Sequence, residues 1–173
     1  MVKQILSFAL TLLLLLPSAI RAEVKVPAAC RIRNRPPGRC GWCSVETLAR
    51  HHKIEALYGL TEHNASRCDV GNLETTVAEA DVPYRIQYPG SRNQAILRYA
   101  VQHSLGAVIG FRELYPGAGG HIVTLIDLTE DTVQVIDPND ADGRTRRMPL
   151  NRFLYWWDGF ALVLETAASA AAE

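Results

Sequence analysis

Two cysteines, a histidine and an aspartate have the types and spacing that nucleophilic catalysis requires. The stretch Cys40-Gly41-Trp42-Cys43 lies at the predicted start of a helix, where unpaired N–H groups and the helix dipole favour a thiolate. His121 begins a predicted strand and Asp137 ends the next one, and a hairpin between these strands brings the two side chains together. The pattern predicts a thiolate nucleophile, a basic imidazole and a carboxylate that orients it.

The elements that position these residues are helices first and strands later. Apolar residues recur at spacings of three and four from Trp42 to Ala56, which predicts a helix that begins near Cys40 and stops at Gly59. Further helices are predicted over 72–80 and 93–103, a loop over 60–70, an extended piece over 82–88, and strands over 106–111, 122–128, 132–137 and 159–165. This order predicts an α+β fold, with N-terminal helices packed on a mostly antiparallel sheet.

Two sets of charged residues are predicted to face solvent. Glu46 lies one helical turn from the cysteine pair, where a solvated helix position is favoured over a contact with the active site. Arg144, Arg146 and Arg147 form a small basic cluster, for which the simplest interpretation is a solvated strand.

The first 22 residues have the pattern of a secretory signal peptide. Lys3 precedes an apolar run over 5–16, and Ala22 supplies the small residue at the cleavage site. The run is shorter than the roughly 20 residues that cross a bilayer. We expect a signal peptide at 1–22, one domain at 23–165 and an Ala-rich disordered tail at 166–173. Export to the periplasm or outside the cell follows, without membrane attachment, because Cys30 fits a lipoprotein site poorly.

Charge and cysteine spacing exclude several classes of protein. The chain has 173 residues with 18 Lys and Arg against 18 Asp and Glu. Loss of Lys3 and Arg21 with the signal peptide leaves 16 basic and 18 acidic residues over 151 positions, a net charge of −2. This balance argues against nucleic-acid binding. The four cysteines lack zinc-site spacing, so we expect no metal site. We also expect no cofactor, and a monomer.

Four stretches of the chain together resemble the papain-like cysteine peptidase superfamily. They are Cys40-Gly41 before a helix, 106–111 after a helix, the span from His121 to Asn139, and the closing segment 153–164. Their order is most similar to the bacteriocin-leader-processing branch, peptidase family thirty-nine, over about residues 34–165. The resemblance implies a papain-like fold, a peptide or protein substrate, and a triad of Cys40, His121 and Asp137.

The resemblance also bears on which cysteine is the nucleophile. In the family-thirty-nine pattern the cysteine precedes a glycine, and an amide side chain six positions upstream helps to form the oxyanion hole. Cys40 precedes Gly41 and has Asn34 six positions before it, although the family has Gln there. In the papain pattern Cys-Gly-x-Cys the second cysteine acts, which makes Cys43 the alternative nucleophile. Pro37, six positions before Cys43, has no group to donate, so the oxyanion argument favours Cys40.

The cysteine pairing and the reaction type leave alternatives open. If Cys43 were the nucleophile, the resemblance pairs Cys40 with Cys68; if Cys40 acts, Cys68 pairs with Cys30 or Cys43. Disulfides persist outside the cytosol, so one alternative is an inactive binding module whose four cysteines are all bridged. Another is a transglutaminase-like acyltransferase, which uses the same three residue types. We expect an exported cysteine hydrolase that acts as a peptidase.

Overall fold

The structure of the protein is a computed structural model that describes residues 24–35, 37–64, 68–112, 120–140, 143–166 and 169. The predicted signal peptide lies outside these residues, as do all but two positions of the predicted tail. Five helices are present in the described ranges: α1 (Cys40–His52), α2 (Leu60–His63), α3 (Val70–Glu79), α4 (Ala95–Gln102) and α5 (Leu150–Trp156). The strands are β1 (Tyr84–Gln87), β2 (Ala107–Phe111), β3 (His121–Leu128), β4 (Thr132–Ile136), β5 (Thr145–Pro149) and β6 (Trp157–Leu164).

The six strands form one antiparallel sheet in the order β1-β6-β2-β3-β4-β5. Alternate residues of β2 and β6 face two different apolar clusters, so helices cover both sides of the sheet. Helices α1 and α3 pack on one side, while α4 and α5 pack on the other. The predicted α+β fold is confirmed, and β5 is the strand expected for the arginine cluster. None of the helices in the described ranges is long and apolar enough to span a membrane.

Helix α1 is the central helix of the domain, because residues 41–49 are all buried. It ends earlier than the apolar spacing predicts. Lys53 adopts a left-handed conformation with φ of 59°, and its N–H bonds the carbonyl of Ala49, which closes the helix. The chain then forms a short 3-10 helix in which Leu57 is buried and Ala56 is exposed. The predicted continuation to Gly59 is therefore wrong.

Helix α5 supports the end of β2 that lies beside His121. Phe153 of this helix contacts Phe111 edge-to-face, with ring centroids 5.7 Å apart, and stacks on Trp157 at 6.0 Å. Phe111 is the last residue of β2 and pairs with His121 across the sheet. The aromatic segment near the C-terminus thus fixes the strand end where the candidate site is built.

Candidate active site

The β3–β4 hairpin brings His121 and Asp137 into contact. His121 is the first residue of β3, and Asp137 directly follows β4. The register pairs Thr124 with Ile136, which returns the chain to the start of β3. His121 Nε2 lies 2.8 Å from Asp137 Oδ1, and the two residues are only 7% and 2% exposed. A hydrogen bond shielded in this way from water holds the imidazole in one orientation.

Cys40 completes a hydrogen-bonded chain with these two residues. It is the first residue of α1, and its thiol bonds the ring of His121 and the backbone amide of Ile122. Since Nε2 of the ring faces Asp137, Nδ1 is the nitrogen that faces the sulfur. The backbone N–H groups of the first helical turn have no acceptor within the helix. The site therefore places a sulfur, a base, an orienting carboxylate and the N-terminus of a helix together.

The electrostatics of the site favour a thiolate beside an imidazolium. Burial opposes ionisation of Cys40, but its bonds to His121 and Ile122 and the charge of His121 outweigh that effect and lower the pKa of the thiol. Burial likewise disfavours a charged His121, but its bonds to Asp137 and Cys40 raise the pKa of the imidazole to about 9. Burial also opposes ionisation of Asp137, but the bond to His121 prevails and lowers the pKa of the carboxyl. All three shifts thus favour the charged pair over the neutral thiol and imidazole.

Cys43 has a different environment, although it lies only three residues away. Its side chain is fully buried, and its sulfur accepts a hydrogen bond from Thr61 Oγ1 at 3.8 Å. Burial raises the pKa of this thiol to about 11, despite the bond from Thr61. A thiol with this pKa is protonated at neutral pH, and the protonated form is a weak nucleophile.

Asn34 lies at the base of α1, as expected for the predicted oxyanion donor. Its Oδ1 accepts the N–H of Arg39 at 2.8 Å, directly before Cys40. Its Nδ2 donates to Asn139 Oδ1 at 2.6 Å, and its backbone N–H donates to Pro138 O at 2.9 Å. The side chain is therefore buried between the helix start and the segment that follows Asp137.

Two more residues that contact Asp137 had no signal in the sequence as site residues. Asn139 donates its backbone N–H to Asp137 Oδ1 at 2.9 Å. Arg146 of β5 places a guanidinium nitrogen 3.8 Å from Asp137 Oδ2, and it also forms an ion pair with Asp140. Part of the arginine cluster predicted to be only solvated therefore lies beside the acid of the site.

Glu46 is buried, which corrects the prediction of a solvated position. It is 2% exposed and accepts two bonds from Arg50, at 2.9 and 2.7 Å. It also accepts the backbone N–H groups of Gly59 and Thr61, at 3.1 and 2.9 Å. Burial opposes its ionisation, but these bonds prevail and lower the pKa of the carboxyl. Glu46 thus fixes the start of α2, which places Thr61 against Cys43.

All four cysteines are free thiols in the structure, so none of the predicted pairings is formed in it. Cys68 lies against the first turn of α1, where its sulfur bonds the backbone amide of Trp42. A side chain at Gly41 would overlap Cys68 Sγ and would lie 3.1 Å from Ile122 Cδ1. Glycine is therefore required beside the candidate nucleophile because the side chains of Cys68 and Ile122 leave no room for a Cβ atom.

This close contact predicts that Gly41→Ala destabilises the protein. The added methyl group has to displace Cys68, and overpacking of this kind costs about 1–3 kcal/mol. The measurement is the free energy of unfolding in urea. Gly71→Ala in α3 is the matched control, because its nearest contact would be an ordinary 3.5 Å approach to Asp69 Oδ1. We expect the control to be neutral or to gain up to about 1 kcal/mol; equal stability of the Gly41 variant would contradict the packing described.

A cavity of about 480 Å³ opens at the same end of the sheet as His121. It is lined by Arg92, Arg112, Tyr155 and Trp156. Arg112 directly follows β2, whose last residue pairs with His121. Among the described residues, no group of three histidine, cysteine or acidic side chains is arranged to hold a metal ion.

Comparison with known proteins relates this fold to solved structures. No protein-family model matches the chain, and no curated sequence matches it. The structure of a double glycine motif protease from an AMS/PCAT transporter, solved with its leader peptide, is similar with a TM-score of 0.61 and 14% identity, over 85% of this chain and 96% of that one. The peptidase domain of Streptococcus ComA, a bifunctional ABC transporter of a quorum-sensing pathway, has a TM-score of 0.55 and 17% identity, over 77% and 95%.

A third structure gives the same result. The peptidase domain of Streptococcus mutans ComA, in complex with a small-molecule inhibitor, has a TM-score of 0.50 and 13% identity, over 78% of this chain and 98% of that one. Each neighbour is covered almost completely, so the likeness extends over whole peptidase domains. The chain therefore has the fold of the double-glycine peptidase domains, an α+β fold of the papain-like type.

Proposed function

We propose that the protein is an exported cysteine peptidase that acts through Cys40, His121 and Asp137. The observation that carries this proposal is the hydrogen-bonded chain from the Cys40 thiol through the imidazole to the buried carboxylate. The lowered thiol pKa and the raised imidazole pKa are the shifts that a nucleophile and its acid–base partner require. The same features favour Cys40 over Cys43, whose thiol pKa is raised.

The reaction begins with attack by the Cys40 thiolate on the carbonyl carbon of a peptide bond. The tetrahedral oxyanion is stabilised by the backbone N–H of Cys40 at the start of α1, together with the side-chain amide of Asn34. When the C–N bond breaks, the His121 imidazolium gives its proton to the leaving amine, and a thioester remains on Cys40. A water molecule then attacks the thioester while His121 takes its proton, which releases the acid and restores the thiolate. Asp137 orients the imidazole throughout.

A peptide substrate is favoured by one of the fold neighbours, since that protease was solved with a leader peptide. The cavity beside Arg112 adds space for a substrate at the same end of the sheet. Export is proposed on the pattern of residues 1–22 alone.

Labelling with a peptidyl acyloxymethyl ketone, followed by mapping of the modified residue, tests the proposal. We expect one label per chain, on Cys40, at neutral pH. A titration that finds no free thiol in the native protein would instead support the inactive, disulfide-bonded module. Incubation of a thioester substrate with a primary amine separates the two reaction types, because a hydrolase releases mainly the acid and an acyltransferase mainly the amide.

A further inference from the structure

We propose that Asn139 is a positioning residue that couples the oxyanion donor Asn34 to the acid of the triad. The inference rests on the proposed function, since it concerns the same site. Asn139 lies two residues after Asp137, and its side-chain and backbone polar atoms serve two different catalytic elements. Its loss should therefore affect one chemical step and spare another.

The contacts form a continuous path across the site. The Asn139 side chain accepts the Asn34 amide at 2.6 Å, and its backbone N–H donates to Asp137 Oδ1 at 2.9 Å. The same Oδ1 lies 2.8 Å from His121 Nε2. Asn139 thus joins the amide at the base of α1 to the carboxylate that orients the base.

This path fixes which way the Asn34 amide points. Its Oδ1 accepts the N–H of Arg39, while its Nδ2 donates to the Asn139 oxygen. A flipped amide would place donor against donor at Arg39 and acceptor against acceptor at Asn139, so only one orientation satisfies both partners. The NH₂ group has two hydrogens, of which Asn139 takes one. The second remains for an oxyanion beside Cys40, which directly follows Arg39 in the chain.

Without the Asn139 side chain, the Asn34 amide keeps its bond to Arg39 but loses its second anchor. It can then rotate about the Oδ1 contact, and its second N–H no longer has a fixed position as an oxyanion donor. The backbone N–H of Asn139 still donates to Asp137, so the orientation of His121 is kept. The oxyanion hole should therefore weaken while the thiolate stays as reactive as before.

Two reactions of Cys40 separate these effects. Alkylation by iodoacetamide is a displacement at a saturated carbon, which forms an S–C bond, releases iodide and needs only the thiolate. Acylation by p-nitrophenyl acetate passes through a tetrahedral oxyanion and releases p-nitrophenolate, so it also needs the oxyanion donor. Each reaction is followed in the full chain with variants Asn139→Ala, Asn34→Ala and the double variant. Asn151→Ala on α5 is the matched control, because Asn151 is exposed.

We expect Asn139→Ala to slow acylation about 10-fold or more, with an alkylation rate and pH profile like those of the unmodified protein. The double variant should be acylated no more slowly than Asn34→Ala, because both substitutions disable the same oxyanion donor. Asn139→Asp keeps an acceptor for Asn34 and should restore acylation.

Additive losses in the double variant would overturn the coupling, as would equal losses of alkylation and acylation in Asn139→Ala. If Asn139→Ala does not fold, the Asn139→Asp variant decides: the coupling is overturned if this variant is acylated no faster than Asn34→Ala. Absence of alkylation at Cys40 in the unmodified protein is a different result, since it rejects the proposed function itself.

Discussion

Replacement of Cys40 by alanine is expected to abolish the activity, with peptide cleavage slower by about 10⁴-fold or more. The remaining residues cannot replace the nucleophile, because the His121 ring then has only a methyl group in front of it. Labelling by the acyloxymethyl ketone should disappear in the same variant. Circular dichroism and the melting temperature should change little, since Cys40 is half-buried and its helix is held by the nine buried residues that follow.

Cys43→Ala is the matched control for this result. Its sulfur is buried against Thr61 and has its pKa raised to about 11. We expect cleavage within about 3-fold of the unmodified rate and a loss of stability of about 1–2 kcal/mol for the small cavity. The reverse pattern, with activity lost only in Cys43→Ala, would assign the nucleophile to Cys43 and contradict the site described.

The parts of the site that the sequence predicted are those built by local structure. His121 and Asp137 are 16 residues apart, and the short turn between their strands determines which residues meet. The sequence alone therefore indicates that a polar residue at the start of one hairpin strand lies close to a polar residue just past the end of the next strand. The position of Cys40 at a helix start is equally local, because it follows from the apolar period that begins there.

The parts that the sequence did not predict depend on contacts between distant, irregular segments. The sequence predicts a solvated helix position for Glu46, because its partners Gly59 and Thr61 lie at the start of α2, a four-residue helix too short to show an apolar period. The bond from Asn139 to Asn34 spans 105 positions, and nothing in either segment indicates the other. Arg146 comes near Asp137 only because β5 pairs with β4. Such positions need the sheet order, which local patterns do not determine.

The difference between Cys40 and Cys43 also depends on tertiary structure. Both thiols lie in the first turn of α1, so the helix dipole favours a thiolate at each of them. What separates them is that Cys40 meets His121 and Ile122, whereas Cys43 is fully buried and meets Thr61. The side of α1 on which each sulfur lies, rather than its position in the sequence, therefore decides which thiol is activated.

Asp137→Asn should narrow the pH range of peptide cleavage and slow this reaction about 100-fold or more. Asparagine replaces the charged acceptor that raises the pKa of His121 to about 9 with a neutral amide oxygen. The imidazolium is then lost at lower pH, which moves the alkaline limit of the profile down. Without a stable imidazolium beside it, the Cys40 thiol loses part of what lowers its pKa, which moves the acidic limit up. Alkylation rates between pH 4 and pH 10 measure the acidic limit. Peptide cleavage rates over the same range measure the alkaline limit, because the leaving amine takes its proton from the imidazolium.

Asp140→Asn is the control, because it makes the same change of charge three residues away, where the carboxylate bonds Arg146 rather than His121. It should leave both pH limits nearly unchanged.

The pH dependence of stability independently checks the direction of the His121 pKa shift. Because the pKa of His121 rises on folding from its usual 6.5 to about 9, its contribution is complete below pH 6.5 and is lost as the pH rises through 9. The stability lost in Asp137→Asn should therefore be largest between about pH 4 and 6.5 and should shrink toward pH 9; a loss independent of pH would show that Asp137 does not hold a charged imidazole.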